Sequence, residues 1–238
     1  MKLCGILCLV ALAGAPLYAQ VDLVGEWGQR QHEDQPERGP GPELGDYLGL
    51  PINAAARAKA DAWDASLLTL PEWQCRPHPP DYAAHTWQGF STGKWEGQML
   101  TVTTTHLKPG FIRRNGVPRS EKGVLVEHWI RHSDVLTMLE FVTDPVYLTE
   151  PMVRSQNWVW TRDQELAPYP CESVTEVPRE LGVVPHHLPG TNTFLHEFAT
   201  KYKLPYEVTR GGSETMYPEY RQQIEALRVT EKTAASAK

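Results

Sequence analysis

Cysteine is scarce in this chain of 238 residues: Cys4, Cys8, Cys75 and Cys171 are all there is, and no two stand in the CxxC spacing of a redox or zinc centre. Basic runs are missing and the formal net charge is −6, which argues against nucleic-acid binding, because phosphate backbones attract a positive patch. After the opening residues no apolar run is long enough to cross a bilayer. There is no Gly-rich loop to cradle a phosphate. Gly89-Phe90-Ser91-Thr92-Gly93 is not a nucleophile elbow, since it leads from a turn into a strand with no alternating βα units around it.

What is present begins with MKLCGILCLVALAGAPLYAQ, one lysine followed by an apolar run from Leu3 to Ala13 and a small residue at Ala19. That is the layout of a secretory signal peptide over residues 1–19, too short for a stable membrane span. Cleavage there predicts export to the periplasm or the extracellular space and removes Cys4 and Cys8. The remaining pair, Cys75 and Cys171, reads as one disulfide in an oxidising compartment, with two buried free thiols as the alternative.

Eight Trp and nine Tyr in a proline-rich chain with short apolar runs suit a β-barrel or sandwich whose rings fill the interior or line a cavity. Residues 20–52 read as a first strand and an extended loop. Asn53-Ala-Ala-Ala-Arg-Ala-Lys-Ala and onward to Leu68 predicts a helix capped by Asn53. Over residues 53–178 the dominant pattern is strand: MLTVTTTH, GVLVEHWIRH, VLTMLEFVTD and RSQNWVWT follow one another between turn signals, an antiparallel meander. Residues 179–238 form an irregular strap with helices predicted over 193–202 and 217–228 and a frayed tail.

The stretch GFSTGKWEGQMLTVTTT resembles a pattern S-x-G-x-W-E-G-D-x-L-x-V found in a large group of exported, mostly uncharacterised bacterial proteins; Ser91, Gly93, Trp95, Glu96, Gly97, Leu100 and Val102 match it. DPVYLTEP, YPCE and the opening DLVGEW resemble further segments of that group, and Gly25-x-Trp27 is the short signature with which lipocalin-like barrels often begin. The resemblance implies a mainly β fold, an antiparallel calycin-like (lipocalin-like) barrel or partial barrel with peripheral helices, and no particular reaction. Departures from the group are Gln98 and Thr103, where an acidic residue is common, and His106, where glycine is common. Relative to the group the chain is also shortened, since Cys75 runs directly into Arg76-Pro-His-Pro-Pro80.

Alternation in MLTVTTTH puts Leu100, Val102, Thr104 and His106 on one face, and alternation in VLVEHWIRH puts Val124, Val126, His128, Ile130 and His132 on one face, with Glu127 opposite. If both aliphatic faces turn inward, His106 and His128 share a pocket as acid and base. The strap adds His186, His187 and His196 as candidate ligands for a divalent metal, although HEFAT lacks the second histidine of H-E-x-x-H. Trp129, Trp158 and Trp160 are candidate pocket walls. Arg113 and Arg114, beside the Asn115-Gly116 turn, are candidate anchors for an anionic ligand.

The leading functional expectation is an exported β protein that binds a small organic molecule, with no nucleic acid as partner and no stable membrane span after signal cleavage. A histidine-based hydrolase, lyase or isomerase, acid–base or metal-assisted, is the rival, and a structural envelope protein is the third reading. The cofactor candidate is a divalent metal, held by the strap histidines alone or together with those of the barrel.

Overall fold

The computed structural model describes residues 21–30, 42–70, 85–163, 178–180 and 182–236. Six strands form one antiparallel sheet in the order β1-β8-β7-β6-β3-β2: β1 is Trp27–Arg30, β2 Phe90–Glu96, β3 Met99–Thr105, β6 Val124–His132, β7 Val135–Thr143 and β8 Met152–Trp160. A separate two-stranded ribbon, β4 (Gly110–Phe111) and β5 (Pro118–Arg119), leaves the sheet between β3 and β6. The expected meander is present as β3, β6, β7 and β8, consecutive neighbours in the sheet. Among the described residues β1 and β2 do not pair, so the sheet is open rather than a closed barrel.

Strand β7 shows why the sheet has two unlike faces. Leu136, Met138, Glu140 and Val142 are buried and the residues between them are not, the period-two pattern of a strand packed on one side. The Ser133-Asp134 turn, with Ser133 at a φ of +54°, joins β6 to β7 and sets His132 opposite Val135. Tight turns fix register, and this one carries Leu125, Glu127, Trp129 and Arg131 onto the buried side with Leu136 to Val142.

The core lies at one end of the sheet. Val142 and Met152 meet Tyr47, Leu50, Ile52, Ala56, Ala60, Ile112, Val117 and Leu148 there. Helix α1 (Ala54–Asp61) is capped by the Asn53 side chain, which accepts from the Ala56 N–H at 3.0 Å and donates to the Val146 carbonyl at 2.7 Å. Ala56 and Ala60, one turn apart and fully buried, let the helix approach closely. The expected helix through Leu68 is divided, because Asp64 is extended and caps a new 3-10 turn, Ala65–Thr69, by accepting from the Ser66 N–H at 2.9 Å.

The C-terminal strap wraps this end. It contains a 3-10 turn (Thr193–His196), α2 (Glu197–Tyr202), α3 (Tyr206–Thr209), a second 3-10 turn (Ser213–Met216) and α4 (Tyr220–Ser236), so the tail expected to fray is helical to Ser236. Tyr47 N–H donates to the Thr209 carbonyl and Gly49 N–H to the Gly212 carbonyl, while Arg210 pairs with Asp61 at 2.5 Å. No described helix is long and apolar enough to cross a membrane. The signal segment, Cys75, Cys171, Arg76 to Pro80 and the YPCE motif lie outside the described residues.

Candidate functional site

The pairing of β2, β3, β6, β7 and β8 arranges the buried face in rows. One row reads Gly93, Val102, Glu127, Glu140, Arg154; the next reads Trp95, Leu100, Trp129, Met138, Gln156; and Arg131, Leu136 and Trp158 follow. Trp129 on β6 and Trp158 on β8 flank β7, and their rings stack above it with centroids 5.3 Å apart and planes 23° from parallel. Met138 is the cross-strand partner of Trp129 and Leu136 that of Trp158, and both are buried.

Beside the indoles stands an unusual charge pattern. Glu127 and Glu140 are direct cross-strand partners, an arrangement that repels when both are ionised. Arg154 forks onto Glu140, Nε at 2.8 Å and Nη2 at 3.1 Å, and Glu140 is only 5% exposed. Glu127 has no ion pair among the described residues. Burial and the neighbouring Glu140 push its carboxyl above the usual carboxylate range, against the smaller opposing pull of Arg154 and the Trp129 indole. The face therefore offers an aromatic platform next to a half-buried carboxyl that retains its proton more readily than one in water.

His128 lies on the other face. Its strand partner is Thr101, so it shares a side with Thr101 and Thr103, and Leu100, Val102 and Thr104 share theirs with Glu127. The threonine hydroxyl donates to Glu96 Oε2 at 3.0 Å, and it receives the His128 Nδ1 proton over 3.0 Å. Phe141 packs edge-on to the ring at 5.5 Å. His106 follows the last residue of β3, and its φ of +55° breaks the alternation that would have continued the Leu100 face. The ring turns toward Thr105 and Phe90 instead. Four strand positions separate Thr101 from Thr105, about 13 Å at the ordinary rise, so no common pocket joins the two imidazoles.

The remaining candidates are dispersed. Trp160 pairs with Trp27 at the sheet edge, and guanidiniums of Arg131 and Arg162 stand 5.9 and 4.8 Å from its ring. Arg113 pairs with Asp46 at 3.5 Å, both largely buried; the Asp46 carboxyl is raised by burial, with Arg113 opposing. Arg114 belongs to the same ribbon turn, which docks inward: Asn115 is 1% exposed and donates to the carbonyls of Glu43 and Asp46. His186 Nδ1 turns back to the Val184 carbonyl, His187 N–H bonds the Ala62 carbonyl, and His196 stacks on Tyr206 at 4.0 Å beside an open depression of about 390 Å³. Among the described residues no three or more His, Cys, Asp or Glu gather to hold an ion.

Sequence reading passed over Glu140, Arg154 and Glu127 as a unit. Arg154 and Glu140 each sit in a β-rich run with nothing local to mark them, and only the β7–β8 register makes them partners. Compared with known proteins, the chain matches no family model, no curated protein and no solved structure.

Proposed function

We propose that the chain is an exported, calycin-like partial barrel that binds a planar small molecule across the face of Trp129, Trp158 and Glu127. The observation that carries this reading is the stacked Trp129–Trp158 pair adjoining a half-buried carboxyl with no ion-pair partner among the described residues. Indole rings supply flat apolar surface, and a carboxyl beside them selects a ligand that presents an N–H or O–H group. The signal-like opening and the resemblance of the Trp95-Glu96-Gly97 region to exported bacterial proteins support the cellular setting.

The test is native mass spectrometry of the exported chain, with tryptophan fluorescence during titration by planar amines and phenols. A retained organic mass, or quenching that Trp158→Leu abolishes, is the expected result. The absence of both a retained mass and a quenching ligand would sink the reading. An acid–base enzyme is the second reading, favoured by the Glu96–Thr101–His128 hydrogen-bond chain, which fixes the His128 tautomer and leaves Nε2 to exchange a proton. It predicts that a ligand recovered from the chain is chemically converted, and that His128→Gln stops the conversion.

A further inference from the structure

Where β2 begins and β3 ends, His85 and His106 face each other with ring centroids 5.6 Å apart and planes tilted by 41°. The backbone causes the meeting. Thr86 N–H donates to the His106 carbonyl at 2.9 Å and Lys108 N–H to the Thr86 carbonyl at 2.8 Å, an isolated parallel bridge that lays the chain before β2 alongside the chain after β3. Gly89 makes the return possible. Its φ is +70°, its N–H donates to Thr86 Oγ1 at 2.8 Å, and a Cβ there would stand 2.4 Å from the Thr105 carbonyl oxygen.

Both rings are oriented through Nδ1. His85 Nδ1 lies 2.9 Å from the Leu107 carbonyl; a carbonyl only accepts, so Nδ1 carries the proton and the Nε2 lone pair is left for another partner. His106 Nδ1 lies 2.8 Å from Thr105 Oγ1, which can accept in the same way. Metal-ligating histidines are held like this, one nitrogen toward the ion and the other donating to a protein oxygen. Two imidazoles on one tetrahedral ion, with metal–nitrogen bonds of about 2 Å, have centroids roughly 5–6 Å apart. The left-handed backbone of His106 is strained for a residue with a side chain, and strain of that kind gathers at ligand sites.

We propose that His85 and His106 form an open, two-histidine site for a borderline divalent transition metal ion such as Zn²⁺, Ni²⁺ or Cu²⁺. Water or an exchangeable ligand fills the remaining positions. Two neutral nitrogens suit these ions, whereas Ca²⁺ and Mg²⁺ seek oxygen ligands and are not held. The site lies apart from the Trp129–Trp158 face and does not depend on the ligand proposed there.

The experiment titrates the full chain, first stripped by a chelator, with Zn²⁺ or Ni²⁺ by calorimetry. One ion per chain is expected at this site, with affinity lowered at least about tenfold by His85→Gln or His106→Gln. His196→Gln leaves binding unchanged, and Ca²⁺ and Mg²⁺ give no heat. Because a substitution at the strained His106 can disturb folding, the unaltered chain supplies its own check: Ni²⁺ broadens the imidazole signals of His85 and His106 together. Binding that survives both substitutions, broadening that spares either ring, or no binding by the unaltered chain overturns the proposal.

Discussion

A carboxyl placed beside a second carboxylate and half removed from water holds its proton more tightly when the chain is folded, and Glu127 is in that position. Its ordinary value is 4.5, and the folded value lies above it. The native state therefore binds more protons between the two values, and stability falls as pH rises from about 4.5 through the folded value. Glu127→Gln removes that slope. In urea denaturation the variant should gain a few tenths of a kcal/mol over the unaltered chain near pH 8, solvent screening at a half-exposed group keeping the gain small, and should gain nothing below pH 4. Arg154→Met acts in the opposite direction. It strands the Glu140 carboxylate in a buried site, so a loss of about 3 kcal/mol is expected, and Glu140→Leu added to it should restore most of the loss.

At the scale of elements, the ribbon turn and the first helix carry the packing of the core end. Gly116 has a φ of +87°, and a Cβ there would lie 2.4 Å from Trp63 Cβ, so Gly116→Ala should cost about 2 kcal/mol or more by thermal unfolding. Asn53→Ala removes both the helix cap and the bond to the β7–β8 connection, and about 1 kcal/mol should go with it. These elements also show what the sequence made legible. The meander was readable from alternation, and α1 from Asn53 and the alanines that follow it, because both signals are local. The shared pocket expected of His106 and His128 is absent, and the reason was not readable in the sequence. Residues 106–123 include the β4–β5 ribbon, so no tight turn ties β3 to β6, and each strand's alternation says nothing about its offset from the other. By contrast, the two-residue turn before Val135 determines the β6–β7 register from a few local residues. The Glu127–Glu140–Arg154 row needs both registers at once, and so it stayed hidden.

Taken as a whole, the molecule is an open sheet with its core at one end. Strand β2 is an edge among the described residues, with Phe90 63% exposed, and its Lys94–Glu96 pair is the charge that discourages another chain from adding to it. Lys94→Val should raise self-association, measured as a shift toward dimer and larger species in sedimentation velocity; an unchanged monomer would show that the edge is guarded by something else. Long-range closure is the other property of the whole. Tyr47 and Gly49 bond to Thr209 and Gly212, and Asp61 to Arg210, so residues near the start of the described chain are completed by residues near its end. A ribosome makes these partners in that order, at about 5–20 residues per second, and the first waits roughly ten to thirty seconds for the second. Tyr47, fully buried in the finished protein, has no strap to cover it during that interval. Tyr47 therefore stays without the Arg210 guanidinium that stands 4.7 Å over its ring, and without the Thr209 carbonyl that takes its N–H, until synthesis is nearly over.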